Sequence, residues 1–186
     1  NENVHITREN DRLLRMNGGS WDNPPYDLKK GRIERSYLKN FLDPNEPKWV
    51  IKDPRMTWLY PIYKRILPHF KIIICLRDPH NVALSIYLQS RFEVSYHHAR
   101  NLWTDYNLQI IKMFEDRVIE CPPLVLYYPD MEDIDLLNNL DSDFIKVDKH
   151  ISERLVRHKH SDSPTSIKEL KIIRRMIGWN DAWRKR

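Results

Sequence analysis

The chain has 186 residues, of which 31% are charged and 41% are apolar, proportions that are ordinary for one soluble globular domain. Its formal net charge is +5 and its pI is about 9.1. That balance favours an anionic partner, such as a phosphorylated cofactor, a nucleic acid or an acidic polymer, although a solvated basic face gives the same numbers. No apolar run approaches the roughly 20 residues that cross a bilayer, so we expect no membrane span and a cytoplasmic location.

Cysteine and histidine usage predicts neither a disulfide nor a metal site. The chain has two cysteines, and Cys75 lies in an apolar run, where we expect a small core residue. The histidine pairs at 97–98 and 158/160 lack a second pair of ligands at the spacing of a zinc site.

Apolar periodicity predicts helices and strands that alternate along the chain. The predicted helices cover residues 6–16, 31–42, 55–67, the stretch that opens at Pro79, 94–116, 129–139, 148–157 and 164–184. The predicted strands cover residues 48–52, 70–77, 123–128 and 143–148. Gly18-Gly19 marks the end of the first helix, and Asp78 and Pro79 fit the N-cap and the first turn of another.

The strand FKIIICLR carries the clearest signal of topology. Its three consecutive isoleucines indicate burial on both faces, which is typical of a parallel sheet. Strands that alternate with helices then predict an α/β fold, with a mostly parallel sheet flanked by helices, in a single domain over residues 1–186.

Polar and charged residues follow three of the predicted strands, as Lys52-Asp53-Pro54-Arg55, Arg77-Asp78-Pro79 and Tyr128-Pro129-Asp130. Ligands of open α/β sheets bind outside the carboxyl ends of the strands. Helices that begin at this edge add backbone N–H groups and partial positive charge. The sequence therefore predicts an anion site there.

The helix after Arg77 carries a polar stripe, because Asp78, Asn81, Ser85 and Gln89 follow one another at spacings of three, four and four residues. Arginine offers a planar fork of donors to phosphate oxygens, and serine adds a hydroxyl. The same stripe also fits the solvent side of an ordinary helix, so the pattern alone leaves both interpretations open.

The segment CLRDPHNVALS, residues 75–85, resembles the 3′-phosphate-binding segment of sulfotransferases that use 3′-phosphoadenosine 5′-phosphosulfate. In that family a hydrophobic strand leads into Arg-x-Pro, two further residues, Val-Ala and a Ser. The resemblance implies that Arg77 and Ser85 bind the 3′-phosphate of the nucleotide. Further segments are similar to those of bacterial sulfotransferase-like proteins, in the same order: NENVHITRENDRLLRMNGGSWDNPP, WVIKDPR, NLWTDYNLQII and VLYYPDM.

The resemblance, which runs to about Asp130, implies a P-loop-kinase-like sulfotransferase fold and transfer of a sulfuryl group to a hydroxyl or amine, without a metal. Tyr128 would lie near the adenine, and Lys52 would neutralise charge on the leaving phosphate. Asp53 would act as the general base or cap the following helix. Arg55 would contact the leaving phosphate or an acidic acceptor, or form a surface ion pair. The acceptor would be a small molecule, a lipid or a carbohydrate.

The sequence departs from the family pattern at two places. The glycine- and Ser/Thr-containing 5′-phosphosulfate loop is not in these residues. In relatives it precedes the region with which this chain begins, so we expect an N-terminal strand, loop and helix to be missing from the sequence. Alternatively, the protein has lost the loop and the activity. In addition, Pro54 occupies the position of the catalytic histidine of many animal cytosolic relatives.

Two other functions fit parts of the sequence. A nucleotide-binding, sulfotransferase-like protein without activity fits the absent loop. A basic nucleic-acid-binding domain fits the pI and the basic C-terminal helix, but no known nucleic-acid-binding module is present, so we expect no nucleic-acid partner.

Overall fold

The computed structural model describes residues 3–28, 31, 33, 38, 50–67, 70–91, 93–116, 118–119, 123–128 and 165–181. These residues are mixed α/β, with five helices and a two-stranded parallel sheet. The helices are α1 (Val4–Met16), α2 (Met56–Ile66), α3 (Pro79–Gln89), α4 (Tyr96–Glu115) and α5 (Ile167–Ile177). The strands are β1 (Ile73–Arg77) and β2 (Leu124–Tyr128). The predicted elements at 129–139, 143–148 and 148–157, and most of the one at 31–42, lie outside the described residues.

The chain divides into two compact units, a first unit of Asn1–Phe70 and a second unit of Lys71–Arg186. Each has its own hydrophobic cluster. The prediction of a single domain over the whole chain stays a prediction.

In the first unit, α1 begins and ends at side chains suited to those positions. The Asn3 side chain accepts hydrogen bonds from the backbone N–H groups of His5 and Ile6, at 3.0 and 3.3 Å. After Met16 the chain turns through Gly18, whose φ of 77° lies in the left-handed region. The Gly19 N–H then reaches back to the Leu14 carbonyl at 3.0 Å, which confirms the predicted end of the helix.

Helix α2 packs against α1 around a cluster that excludes water. The cluster's buried side chains are Leu13, Leu14, Ile33, Leu38, Leu59, Ile62 and Tyr63. Gly31 permits this packing, because its φ is +115° and a Cβ there would lie 2.6 Å from the Leu13 side chain. The helix predicted at 55–67 is confirmed to within one residue at each end.

The strand predicted at 48–52 is wrong in its described part, since residues 50–52 belong to no strand. A short apolar run becomes a strand only where a neighbour completes the hydrogen-bond ladder, and the sheet of the described residues consists of β1 and β2. Here Val50 is exposed, whereas Ile51 packs against the cluster of the first unit.

In the second unit, β1 and β2 pair in parallel, from Ile73 opposite Leu124 to Arg77 opposite Tyr128. This confirms the parallel pairing that the isoleucine run predicts. One face of the sheet packs against α4 and α5 in a single cluster, whose buried members are Ile74, Leu76, Trp103, Ile111, Val125, Ile172, Ile173 and Met176.

Cys75 is exposed, which corrects the prediction that it is a core residue and that β1 is buried on both faces. Successive side chains of a strand point to opposite faces. Because Ile74 and Leu76 take the buried face, Cys75 between them must point to the other one.

The helices of the second unit begin at polar caps. Pro79 opens α3, and the Asp78 carboxylate accepts the Asn81 N–H at 3.0 Å, as predicted. Ser166 and Glu169 form a reciprocal capping box at the start of α5. Within the helix predicted over 164–184, α5 begins at Ile167 and is interrupted by a turn at residues 178–179, after which residues 180–181 are helical again. Residues 164 and 182–184 lie outside the described residues.

Among the described residues, no helix combines the length and the apolar character needed to cross a membrane.

Candidate anion-binding site

Arg77 and Tyr128 end their strands side by side. They are the last pair of the β1–β2 register, so both side chains project from the same face of the sheet. The Arg77 guanidinium lies over the Tyr128 ring, with its carbon 5.4 Å from the ring centre, a cation–π contact that orients the guanidinium plane. The structure therefore brings together two of the residues predicted to bind nucleotide.

The Arg77 side chain retains unused hydrogen-bonding capacity. Its Nε atom is buried and has no hydrogen-bond partner within the described part of the chain. A buried donor without a partner costs about 1–3 kcal/mol, and an anion that accepts this N–H would remove the cost.

Trp103 of α4 holds the backbone of Arg77, because its indole N–H donates to the Arg77 carbonyl at 2.9 Å. The end of β1 is thus fixed from the helical layer. The sequence gives no local signal of this contact, since the two residues are 26 positions apart in the chain.

Ser85 lies two turns into α3 on the predicted polar stripe. The Gln89 side-chain amide donates to its Oγ at 3.1 Å, so the two side chains share a face as the spacing predicts. No hydrogen bond joins Ser85 to Arg77 in the described structure. A ligand that touches both would have to bridge them.

Lys52 belongs to the first unit and is exposed. It lies at a cavity of about 260 Å³, together with Asn3, Ile6, Thr7, Val50 and Ile51. The Thr7 hydroxyl is buried, and among the described residues it has no hydrogen-bond partner.

Asp53 is buried in a polar network, with 1% of its side chain exposed. Its carboxylate accepts the Arg55 backbone N–H at 2.9 Å, the Arg55 Nη1 at 3.0 Å and the Asn10 Nδ2 at 2.9 Å. Asn10 in turn accepts the Tyr63 hydroxyl at 2.7 Å. The first of these bonds is the local turn that an aspartate makes before a helix, so Asp53 has a structural role, and its role as general base stays a prediction.

Arg55 is held between two carboxylates. Its Nε donates to Asp11 at 2.6 Å, and Nη1 donates to Asp53. Burial acts to lower the pKa of Arg55, but the negative charge of Asp53 and the hydrogen bonds to Asp53 and Asp11 outweigh it, so the pKa is raised. The ion pair is half-buried rather than superficial, and a phosphate would have to compete with these carboxylates.

A second concave region, of about 670 Å³, lies between α4 and the start of α5. In it the Arg100 guanidinium binds Glu169 through two parallel hydrogen bonds, each 2.7 Å long. The hydrogen bond from Arg100 lowers the pKa of Glu169 to about 2, against the effect of burial and together with Ser166. No local sequence pattern predicts this pair, because its two residues are 69 positions apart in the chain.

The predicted site residues divide between the two units. Lys52, Asp53 and Arg55 belong to the first unit, whereas Arg77, Ser85 and Tyr128 belong to the second. Among the described residues, no group of three or more His, Cys, Asp and Glu side chains could hold a metal ion.

The chain matches no protein-family model, no curated protein and no solved structure, so a functional proposal depends on the residues themselves.

Proposed function

We propose that the protein is a sulfotransferase that uses 3′-phosphoadenosine 5′-phosphosulfate and has the P-loop-kinase-like fold of that family. The observation that carries the proposal is Arg77, a cation at the carboxyl end of a parallel strand, whose buried Nε has no hydrogen-bond partner among the described residues. This is where an α/β sheet binds ligands, and an arginine fork suits phosphate oxygens. The resemblance of residues 75–85 to the family's 3′-phosphate segment implies that the phosphate is the 3′-phosphate of the donor.

The residues of the second unit fit the nucleotide part of the donor. Arg77 would donate to the 3′-phosphate, and Ser85 would add its hydroxyl from the polar stripe of α3. Tyr128 would offer an aromatic face near the adenine while its ring supports the Arg77 guanidinium. When bound, the donor would supply the sulfuryl group, and adenosine 3′,5′-bisphosphate would be the product.

By the same resemblance, Lys52, Asp53 and Arg55 would serve the transfer step. In-line sulfuryl transfer to a hydroxyl or amine depends mainly on positioning and on neutralising charge at the leaving group. Lys52 would hold positive charge there. Asp53 would accept the acceptor's proton by exchanging one of its present hydrogen bonds for the acceptor, and Arg55 would continue to hold Asp53 in place.

A thermal-shift experiment tests the nucleotide site. Adenosine 3′,5′-bisphosphate at a hundredfold excess over its Kd is expected to raise the Tm by roughly 5–10 °C. The Arg77→Ala variant should lose this shift. Arg174→Ala, which removes an exposed cation of α5 in the same unit, should keep it. A shift that survives Arg77→Ala would overturn the assignment of the 3′-phosphate site.

A second arm tests the chemistry. With the donor and a hydroxyl acceptor, Lys52→Ala should lower kcat by about 100-fold or more while leaving the Kd of adenosine 3′,5′-bisphosphate unchanged. Nucleotide binding without any transfer, in the wild-type protein, would instead support a nucleotide-binding relative that has lost the activity.

A further inference from the structure

Helix α5 has two faces of different chemistry. One face is buried against the rest of the second unit and carries Glu169, Ile172, Ile173 and Met176. The opposite face is exposed and carries Ile167, Lys168, Leu170, Lys171, Arg174 and Arg175. A helix that already buries one apolar face has no structural need for apolar side chains on the other.

The cations of the exposed face are mostly unneutralised. Lys168, Lys171 and Arg174 form no ion pair in the described structure, whereas Arg175 pairs with Glu115 of α4. Acidic side chains of the described part of α4 and α5 also include Asp105, which lines the same concave region as Lys168, Asp116 at the end of α4 and Asp181 after α5. Three free cations within about two turns of helix therefore set up a positive surface.

Two apolar side chains lie among these cations. Ile167 is 75% exposed and Leu170 is 39% exposed. Positions 167, 170, 171 and 174 lie three or four residues apart on one helical stripe, so Ile167 and Leu170 share this stripe with Lys171 and Arg174. Binding of phosphate by cations alone does not use exposed aliphatic side chains. Binding to an anionic bilayer does use them, because aliphatic groups enter the interface while lysine and arginine remain at the headgroups.

We propose that the exposed face of α5 binds the surface of an anionic lipid bilayer. The charge complementarity comes from Lys168, Lys171 and Arg174, and the apolar contribution from Ile167 and Leu170. The helix would lie along the surface without entering the hydrocarbon core. This proposal goes beyond nucleotide binding, and neither depends on the other.

Vesicle co-sedimentation of the full chain tests the proposal. The protein should bind vesicles of phosphatidylcholine with phosphatidylserine, should not bind phosphatidylcholine alone, and should be released by salt. The K171E/R174E variant should bind at least about 25-fold more weakly, since each lysine or arginine near an acidic surface contributes roughly a factor of five. The I167S/L170S variant should bind about tenfold more weakly through lost apolar contact.

Matched controls separate this surface from net charge and from folding. R8E/R15E on α1 replaces two exposed cations of the first unit and changes the net charge by the same amount, so it should retain binding. Each variant must keep the melting curve of the parent. Equal loss in R8E/R15E and K171E/R174E, or binding that ignores phosphatidylserine, would overturn the proposal.

One further outcome would assign the surface to another partner. If duplex DNA or RNA binds with strong salt dependence, I167S/L170S binds it unchanged, and the vesicles are not bound, the face is a nucleic-acid surface and the lipid proposal is wrong.

Discussion

The carboxylate of Asp53 illustrates at the residue scale how a buried charge becomes structural. Its three hydrogen-bond donors come from Arg55 and Asn10, and its charge raises the pKa of Arg55. Removing one partner of such a pair leaves the other charge buried without compensation, which costs more than the pair itself contributes.

Asp53→Ala is therefore expected to lower the free energy of unfolding by about 3 kcal/mol. Urea denaturation followed by circular dichroism measures the change. Asp11→Ala is the matched control, because it removes the more exposed partner of Arg55, and it should cost about 1 kcal/mol. If both variants lose the same small amount, the buried network does not stabilise the first unit.

At the scale of the element, Asn180 takes the place of a neighbouring strand. Its Oδ1 accepts the Val125 N–H at 2.9 Å, and its Nδ2 donates to the Val125 carbonyl at 2.7 Å. These are the two bonds that another strand would make to β2. Asn180 is fully buried, so the residues after α5 protect an edge of the sheet.

Asn180→Ala should lower the free energy of unfolding by roughly 2–4 kcal/mol, because it leaves a buried N–H and a buried carbonyl unpaired. Amide hydrogen exchange gives the local test: the Val125 amide should exchange faster by a larger factor than the amides of α1. A uniform acceleration over both units would mean that Asn180 contributes only to global stability.

The Arg100–Glu169 pair joins α4 to α5 and gives a pH dependence with a definite sign. The pKa of Glu169 is lowered from an ordinary 4.5 to about 2. The ionised carboxylate therefore makes its full contribution to the free energy of unfolding above about pH 4.5, and this contribution is lost as the pH falls through 2. Only 4% of the Glu169 side chain is exposed, which limits screening of its charge by solvent. The charged carboxylate therefore contributes about 3 kcal/mol to the free energy of unfolding.

We expect the stability difference between the wild-type protein and Glu169→Gln to shrink steadily between pH 4.5 and 2. Denaturation curves at each pH measure it, with Glu93→Gln, at an exposed position, as the control for loss of one carboxylate. A difference that stays constant over this range would show that Glu169 does not act through its charge.

At the scale of the whole molecule, the sequence predicts those features of the fold that depend on residues close together in the chain. Asp78-Pro79 and Gly18-Gly19 predict a helix start and a helix end because caps are local. The isoleucine run predicts parallel pairing, which the register confirms, although β1 is not buried on both faces. The spacing of Ser85 and Gln89 predicts their shared face.

The predictions that failed depend on contacts far along the chain. Residues 50–52 have the composition of a strand, but composition supplies no neighbour with which to pair. Cys75 lies in an apolar run, and only the register of β1 decides which face it takes. The contacts Trp103–Arg77 and Asn180–Val125 join residues 26 and 55 positions apart, and no local pattern encodes them.

The proposed recognition of a 3′-phosphate by Arg77 is tested most directly by the Kd of adenosine 3′,5′-bisphosphate relative to that of adenosine 5′-monophosphate. Calorimetry of the wild-type protein should show a preference of at least about 30-fold for the bisphosphate. In Arg77→Ala that preference should fall to about one, with the weaker affinity for the monophosphate retained. An undiminished preference for the bisphosphate in Arg77→Ala would contradict the claim.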